Sequence, residues 1–353
     1  VTSSLLSGRI IKWFGTGKVT FASCLMTGAA LFGFSIAPSY IWLLFLAIPL
    51  GFGGGSVDAA LNNYVALHFK AHHMNWLHSF WGVGATMGPL ILANILANGV
   101  AWQQGYRTIA MMQLSLAFIL LITLPLWGKV HAKREKTNKD VADVSVSETL
   151  NLDMIDKDQK VSVIKIKGVK YALLVFMFYV TGEISIGLWG SSFLIQSKGV
   201  SIDTAAAWIA MYYGGIMVGR FISGFISFKL NNKQMIRLGI IISFIGTGIL
   251  LLPIPTGLLF IPLMLIGLGF APIFPSMIHE TPIRFGKEHS QTIIGYEMAA
   301  AYTGGALIPP LFGVILANLN MALFPVLLGL SILVVYISST RLLHKRKTLP
   351  NAQ

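Results

Sequence analysis

Apolar positions in this chain run on for whole stretches instead of alternating with polar ones. A hydrocarbon layer about 30 Å thick is crossed by about 20 helical residues. Runs of that length lie at 19–37, 40–64, 79–98, 106–128, 171–195, 204–228, 236–254, 256–279, 291–317 and 320–342. Glycine and proline inside them do not disturb the reading, because membrane helices tolerate both. The pattern predicts an all-α polytopic membrane protein with ten spans. Composition agrees: 55% of the 353 residues are hydrophobic and 11% charged, against about 25% charged in a soluble domain.

The net charge of +13 would suggest a nucleic-acid partner only if the basic residues shared one exposed domain. They fall instead in alternate connections: 7–18, Lys70, 129–170, 229–237, 284–287 and 341–347 hold all the lysines and arginines except Arg107, Lys198 and Arg220. That is the positive-inside distribution. It predicts that 7–18, 129–170 and the C-terminus face the cytoplasm, and it argues for a lipid bilayer, not nucleic acid, as the surrounding partner. The single cysteine, Cys24, excludes an internal disulfide and any multi-cysteine metal site.

One polar stretch, 129–170, interrupts the spans and reads as a cytoplasmic linker between an N-terminal bundle, 1–128, and a C-terminal six-helix bundle, 171–342, followed by a tail, 343–353. The two bundles look related. SGRIIKWFGTGKV (7–19) matches SGFISFKLNNKQM (223–235), and the same offset of 216 residues pairs Gly51 with Gly267, Gly53 with Gly269 and His73 with His289. Internal repeats of this length mark secondary transporters. The SGF loop follows two helices whereas the SGR loop comes almost at once, which predicts one helix and most of another before Val1, VTSSLL being the tail of the second.

Motifs at three places carry a family resemblance. In 7–18, Gly8, Gly15 and Lys18 fit loosely the loop pattern that follows the second helix of major facilitator superfamily transporters, with Lys12 and Trp13 where that pattern has an acidic and basic pair. GGGSVDAALNNY (53–64) is closer to the fourth helix of the fucose permease branch of that superfamily, the sugar–proton symporters: Gly53, Gly55, Asp58, Asn62 and Tyr64 keep its spacing, with Asp for Glu and Asn63 for a proline. LHSFWGVGATMGP (77–89) resembles that branch's fifth helix. The resemblance implies the major facilitator fold, two pseudo-symmetric helix bundles with about ten transmembrane helices present of an expected twelve. It also implies a sugar as the small-molecule substrate, a proton as the coupling ion, the plasma membrane as the location, and no cofactor.

Polar residues inside the spans are the candidate site. A charge at a helix centre costs at least about 2.5 kcal/mol and usually faces a cavity or a partner. Asp58 and Asn62, four apart, share one helix face with Gly51 and Gly55; they read either as a proton-binding carboxylate with an amide partner or as an interhelical clasp. Glu183, with Tyr179 one turn before it and Trp189 beyond, reads as a proton or substrate group, or as a structural partner of Arg220. Trp189 is a surface for stacking a sugar ring. Glu297, about 9 Å into its helix, is placed where it could still reach the interface. His78 is expected to meet Asp58 or a backbone carbonyl. Gly51, Gly53, Gly55 and Arg220 are structural or gating candidates. No catalytic or metal-binding motif occurs: His72 and His73 are adjacent instead of four apart, HExxH and GxSxG are absent, and 51–55 lacks the GK[ST] of a phosphate loop. The expected function is secondary active transport by alternating access, not enzymatic. The rivals are a drug or metabolite carrier of the same fold and a transport-inactive membrane scaffold or sensor.

Overall fold

The structure, a computed structural model, describes the backbone of residues 1–145 and 163–344, and their side chains except at 89, 93 and 128–145. Among these residues there is no strand. Twelve helices follow one another: α1 (Thr2–Phe14), α2 (Thr16–Ser35), α3 (Tyr40–His68), α4 (Ala71–Ala97), α5 (Trp102–Ser145), α6 (Val169–Lys198), α7 (Ile202–Ile226), α8 (Asn232–Leu251), α9 (Phe260–Phe270), α10 (Ile273–Phe285), α11 (Lys287–Asn318) and α12 (Phe324–His344). Ten segments are long and apolar enough to cross a membrane, residues 256–285 counting as one although the helix breaks at Ala271 and Pro272.

Local chemistry sets many of the boundaries. Asn231 and Gln234 form a reciprocal capping box at the start of α8, and Ser201 caps α7 by accepting from the Thr204 amide. Gly286, with φ of 86°, is the whole connection between α10 and α11. A residue with a Cβ would be strained there.

Two expectations change. Residues 7–14, read as a loop, continue α1, so Gly8, Lys12 and Trp13 lie on a helix and Gly15 alone makes the turn. The polar stretch from 129 is also helical as far as Ser145, an extension of α5; Val163–Lys165 form a short 3-10 turn, and the linker between 146 and 162 lies outside the described residues. Charge stops a helix from crossing a membrane, not from continuing in water.

The repeat holds at the level of atoms. α2 and α8 begin and end at positions 216 residues apart. Gly53 of α3 packs on the Ser23 carbonyl and Thr27 of α2, and its partner Gly269 packs on the Gly239 carbonyl and Ser243 of α8. Thr27 bonds back to the Ser23 carbonyl as Ser243 does to that of Gly239. Without a hydrophobic force between helices in lipid, such close backbone approach is what holds them together. The bundles meet through equivalent pairs: α1 against α11, where Gly8 faces Thr292, and α7 against α4, where Gly224 faces Trp76.

Successive helices alternate in direction, so the basic connections collect at one end. At that end the bundles are in contact. Ser290 Oγ donates to Asn63 Oδ1 at 2.7 Å, Gln291 reaches the Ala59 carbonyl at 3.4 Å, and His279 Nε2 lies 3.2 Å from the Phe69 carbonyl. His72 stacks on Phe228 with centroids 4.5 Å apart.

Candidate functional site

Polar groups of five helices are joined into one chain. It begins on α11, where the Tyr302 hydroxyl donates to Asp58 Oδ2 of α3 at 2.6 Å. One turn on, Asn62 Nδ2 donates to Asp58 Oδ1 at 2.9 Å, the contact that four-residue spacing on one helix face dictates. The Asn62 amide oxygen lies 2.9 Å from His78 Nε2 of α4. Nε2 therefore carries the hydrogen in this contact, since the amide oxygen can only accept. The backbone carbonyl of His78 in turn accepts from Arg220 Nη1 of α7 at 3.4 Å.

Arg220 is the centre of the second part. It is 3% exposed, and its Nη2 lies 3.6 Å from Glu183 Oε2 and 3.4 Å from the Tyr179 hydroxyl, both on α6. Its guanidinium lies 4.9 Å from the ring centroid of Trp81, within reach of a cation–π attraction. Its Nε has no partner among the described residues. Tyr212 of α7 donates to the Glu183 carbonyl at 3.3 Å. Each contact to the guanidinium is longer than the usual 2.7–2.9 Å of a charge-assisted bond. The cation is held by several weak partners and locked by none. Two intramembrane carboxylates, Asp58 and Glu183, therefore belong to one network, each with its own donors.

The sequence candidates separate accordingly. Asp58, Asn62, His78, Tyr179, Glu183 and Arg220 are brought together. His78 meets Asn62, not Asp58 or a carbonyl acceptor of its own ring. Trp189 is elsewhere: its indole N–H donates to the Pro309 carbonyl at 2.7 Å and its ring packs over Gly313, pinning α6 to α11. Glu297 does not reach the interface. It is 0% exposed, and its carboxyl oxygens meet the Thr281 hydroxyl of α10; tertiary packing buries a position that residue counting left open. Gly53 and Gly55 sit against α2 and α1, whereas a side chain at Gly51 would meet nothing within 4 Å.

Tyr302 and Trp81 are not among the sequence candidates. Tyr302 lies 244 residues from Asp58, and no sequence spacing encodes that meeting. Trp81 shares the His78 face at i,i+3, a signal that was available.

Ten apolar spans in two pseudo-symmetric bundles, with a polar network between them, define a multi-pass membrane transporter. The family model of the Major Facilitator Superfamily matches residues 1–309, and the chain belongs to that superfamily. It is 26% identical over 322 residues to a putative glucose/galactose transporter of Helicobacter pylori strain J99, covering 84% of this chain and 70% of that protein. Among solved structures it is similar to the E. coli fucose:proton symporter FucP, with a TM-score of 0.67, 13% identity, and 96% and 86% of the two chains covered. It is also similar to the proton:xylose symporter XylE, with a TM-score of 0.71, 12% identity, and 95% and 82% covered. These two likenesses speak for the fold.

Proposed function

We propose that this chain carries a sugar across the plasma membrane together with protons, the bundles rocking about the Asp58–Glu183 network. The observation that carries the reading is the network itself, two membrane-embedded carboxylates joined through Asn62, His78 and Arg220 across both bundles. An intramembrane acid is a proton-relay candidate by default. A weakly held guanidinium between two acids can change partners as one of them takes up or releases a proton. The relatives' names, a glucose/galactose transporter and two proton-coupled sugar symporters, supply the substrate class and the coupling ion.

In this reading Asp58, Asn62, His78, Tyr179, Glu183 and Arg220 form the proton- and substrate-binding centre, and Trp189 braces it. The basic end, with the linker and the C-terminus, lies in the cytoplasm. The joined basic end is then the closed cytoplasmic gate of a carrier facing outward. The N-terminal bundle, 1–128, moves against the C-terminal bundle, 171–342. The test is counterflow in proteoliposomes with a panel of hexoses, pentoses and unrelated amphiphiles, followed by uptake of the winning sugar with and without an imposed proton gradient. Hexose counterflow with gradient-driven accumulation is expected. Counterflow of an amphiphilic drug in place of any sugar would overturn the reading.

A further inference from the structure

Among the described residues, Glu297 is the one buried acid that the network does not use. It is 0% exposed, two turns further along α11 than Ser290, whose hydroxyl closes the basic end. Its surroundings can be counted in protons. Thr281 Oγ1 lies 2.9 Å from Glu297 Oε1, 3.0 Å from Oε2 and 3.2 Å from the Met277 carbonyl oxygen. A hydroxyl carries one proton, and here it faces three acceptors. If Glu297 is ionised, that one proton must serve a buried anion and a backbone carbonyl together. If Glu297 is an acid, its own O–H donates to Thr281 Oγ1, which donates on to the Met277 carbonyl, and every group is satisfied.

Among the described residues no cation pairs with Glu297, and His289 of α11 lies against Glu288 at 3.9 Å. On α3, Asp58 is taken by Tyr302 and Asn62; on α6, Glu183 is paired with Arg220. On α10, Glu280 is paired with Arg284, and His279 lies against Asn232. Arg9 and Lys12 of α1 and Arg341 of α12 are exposed, as are Lys287 and Glu288 at the start of α11 itself. A buried charge without a partner is the arrangement proteins avoid at a cost of several kcal/mol.

The acid also sits at a mechanical point. α10 and α11 are a hairpin turned at Gly286, and both arms reach α3 near that turn, through His279 to the Phe69 carbonyl and through Ser290 to Asn63. The Thr281–Glu297 bond ties the arms together behind those contacts.

We infer that Glu297 holds a proton while the α10–α11 hairpin is closed on α3, and releases it when the hairpin parts and water enters, so that opening of the basic end is linked to proton release at a site separate from the Asp58–Glu183 network. The inference rests on the alternating-access reading for what opening means; the protonation of Glu297 does not. By linkage, rising pH favours the open hairpin, and one exchanged proton limits the effect to about tenfold per pH unit.

Infrared spectra of the full chain in lipid, with and without 13C-glutamate, test the first half. The expected result is a carboxylic-acid carbonyl band at neutral pH that shifts with the label and loses intensity in E297Q. Should E297Q fold poorly, T281V serves in its place: removing the acceptor moves the same band to higher frequency. No label-sensitive acid band in the wild type, or one untouched by either variant, would overturn the proposal. The second half is read from a cysteine at Ala59, fully buried against α11, in a Cys24→Ser background. Its labelling rate divided by that of the same cysteine in E297Q cancels the thiol's own titration. The ratio is expected to climb with pH by up to about tenfold per unit; a flat ratio refutes the linkage. Hexose counterflow on the same samples reports on transport separately, and its absence with band and ratio intact leaves this inference supported.

Discussion

Arg220 meets Glu183 at 3.6 Å and the Tyr179 hydroxyl at 3.4 Å, and it lies against Trp81 with 3% of its surface exposed. A buried pair of this kind adds little net stability while intact, but losing one partner strands the other, at a cost of about 3–5 kcal/mol. E183Q alone should therefore lower thermal stability in detergent. The double variant E183Q/R220Q should regain much of the loss, with a coupling of about 1–3 kcal/mol. A loss in the double variant equal to the sum of those in E183Q and R220Q would mean the ion pair is energetically idle. Transport separates from stability in D58N. Its neutral amide can still accept from Tyr302, so sugar exchange should persist while proton-driven accumulation disappears. Full uphill uptake by D58N would remove Asp58 from the coupling route.

At the scale of elements, the repeat makes a quantitative contrast among glycines that look alike in the sequence. A Cβ on Gly269 would lie 2.7 Å from the Gly239 carbonyl oxygen, and one on Gly53 would lie 2.9 Å from that of Ser23. Both obstacles are backbone and cannot rotate away, so G269A and G53A should each destabilise by about 1–3 kcal/mol, the range of overpacked cores. G51A, with nothing within 4 Å, should change stability by less than about 0.5 kcal/mol. Melting temperatures of the three variants in one detergent decide it; a destabilised G51A would contradict the described packing. Helix placement was readable because a run of about 20 apolar residues has one solution in lipid. The helical state of 7–14 and 129–145 was not, since polar residues say where a helix leaves the membrane and not whether it ends. The break of the 256–285 segment falls at Pro272, which has no N–H to continue the helical ladder, a signal the sequence did carry.

At the scale of the whole molecule, the bundles touch at the basic end through Asn63 and Ser290. If rocking opens this end, a disulfide between cysteines at those two positions should form readily, stop sugar exchange, and release it on reduction. Undiminished exchange in the oxidised protein would mean the contact does not part during transport. The orientation of that end is tested independently. Cysteines replacing Ser145 and Pro350 should resist an impermeant thiol reagent in intact cells and react after permeabilisation. Rapid labelling of both in intact cells would reverse the topology.

Composition and run length by themselves determined the class of fold, the number of spans and the end that gathers positive charge, because a bilayer imposes one length and one kind of backbone pairing on every segment. The four-residue spacing of Asp58 and Asn62 was equally legible, being a property of a single helix. What the tertiary structure alone decided is which helix faces which. It set Tyr302 on Asp58, sent Trp189 to the Pro309 carbonyl and away from the network, and brought Thr281 of α10 onto Glu297. Those meetings join residues 16 to 244 positions apart. No local periodicity carries that information, since it comes from how the helices pack and not from how any one of them is patterned.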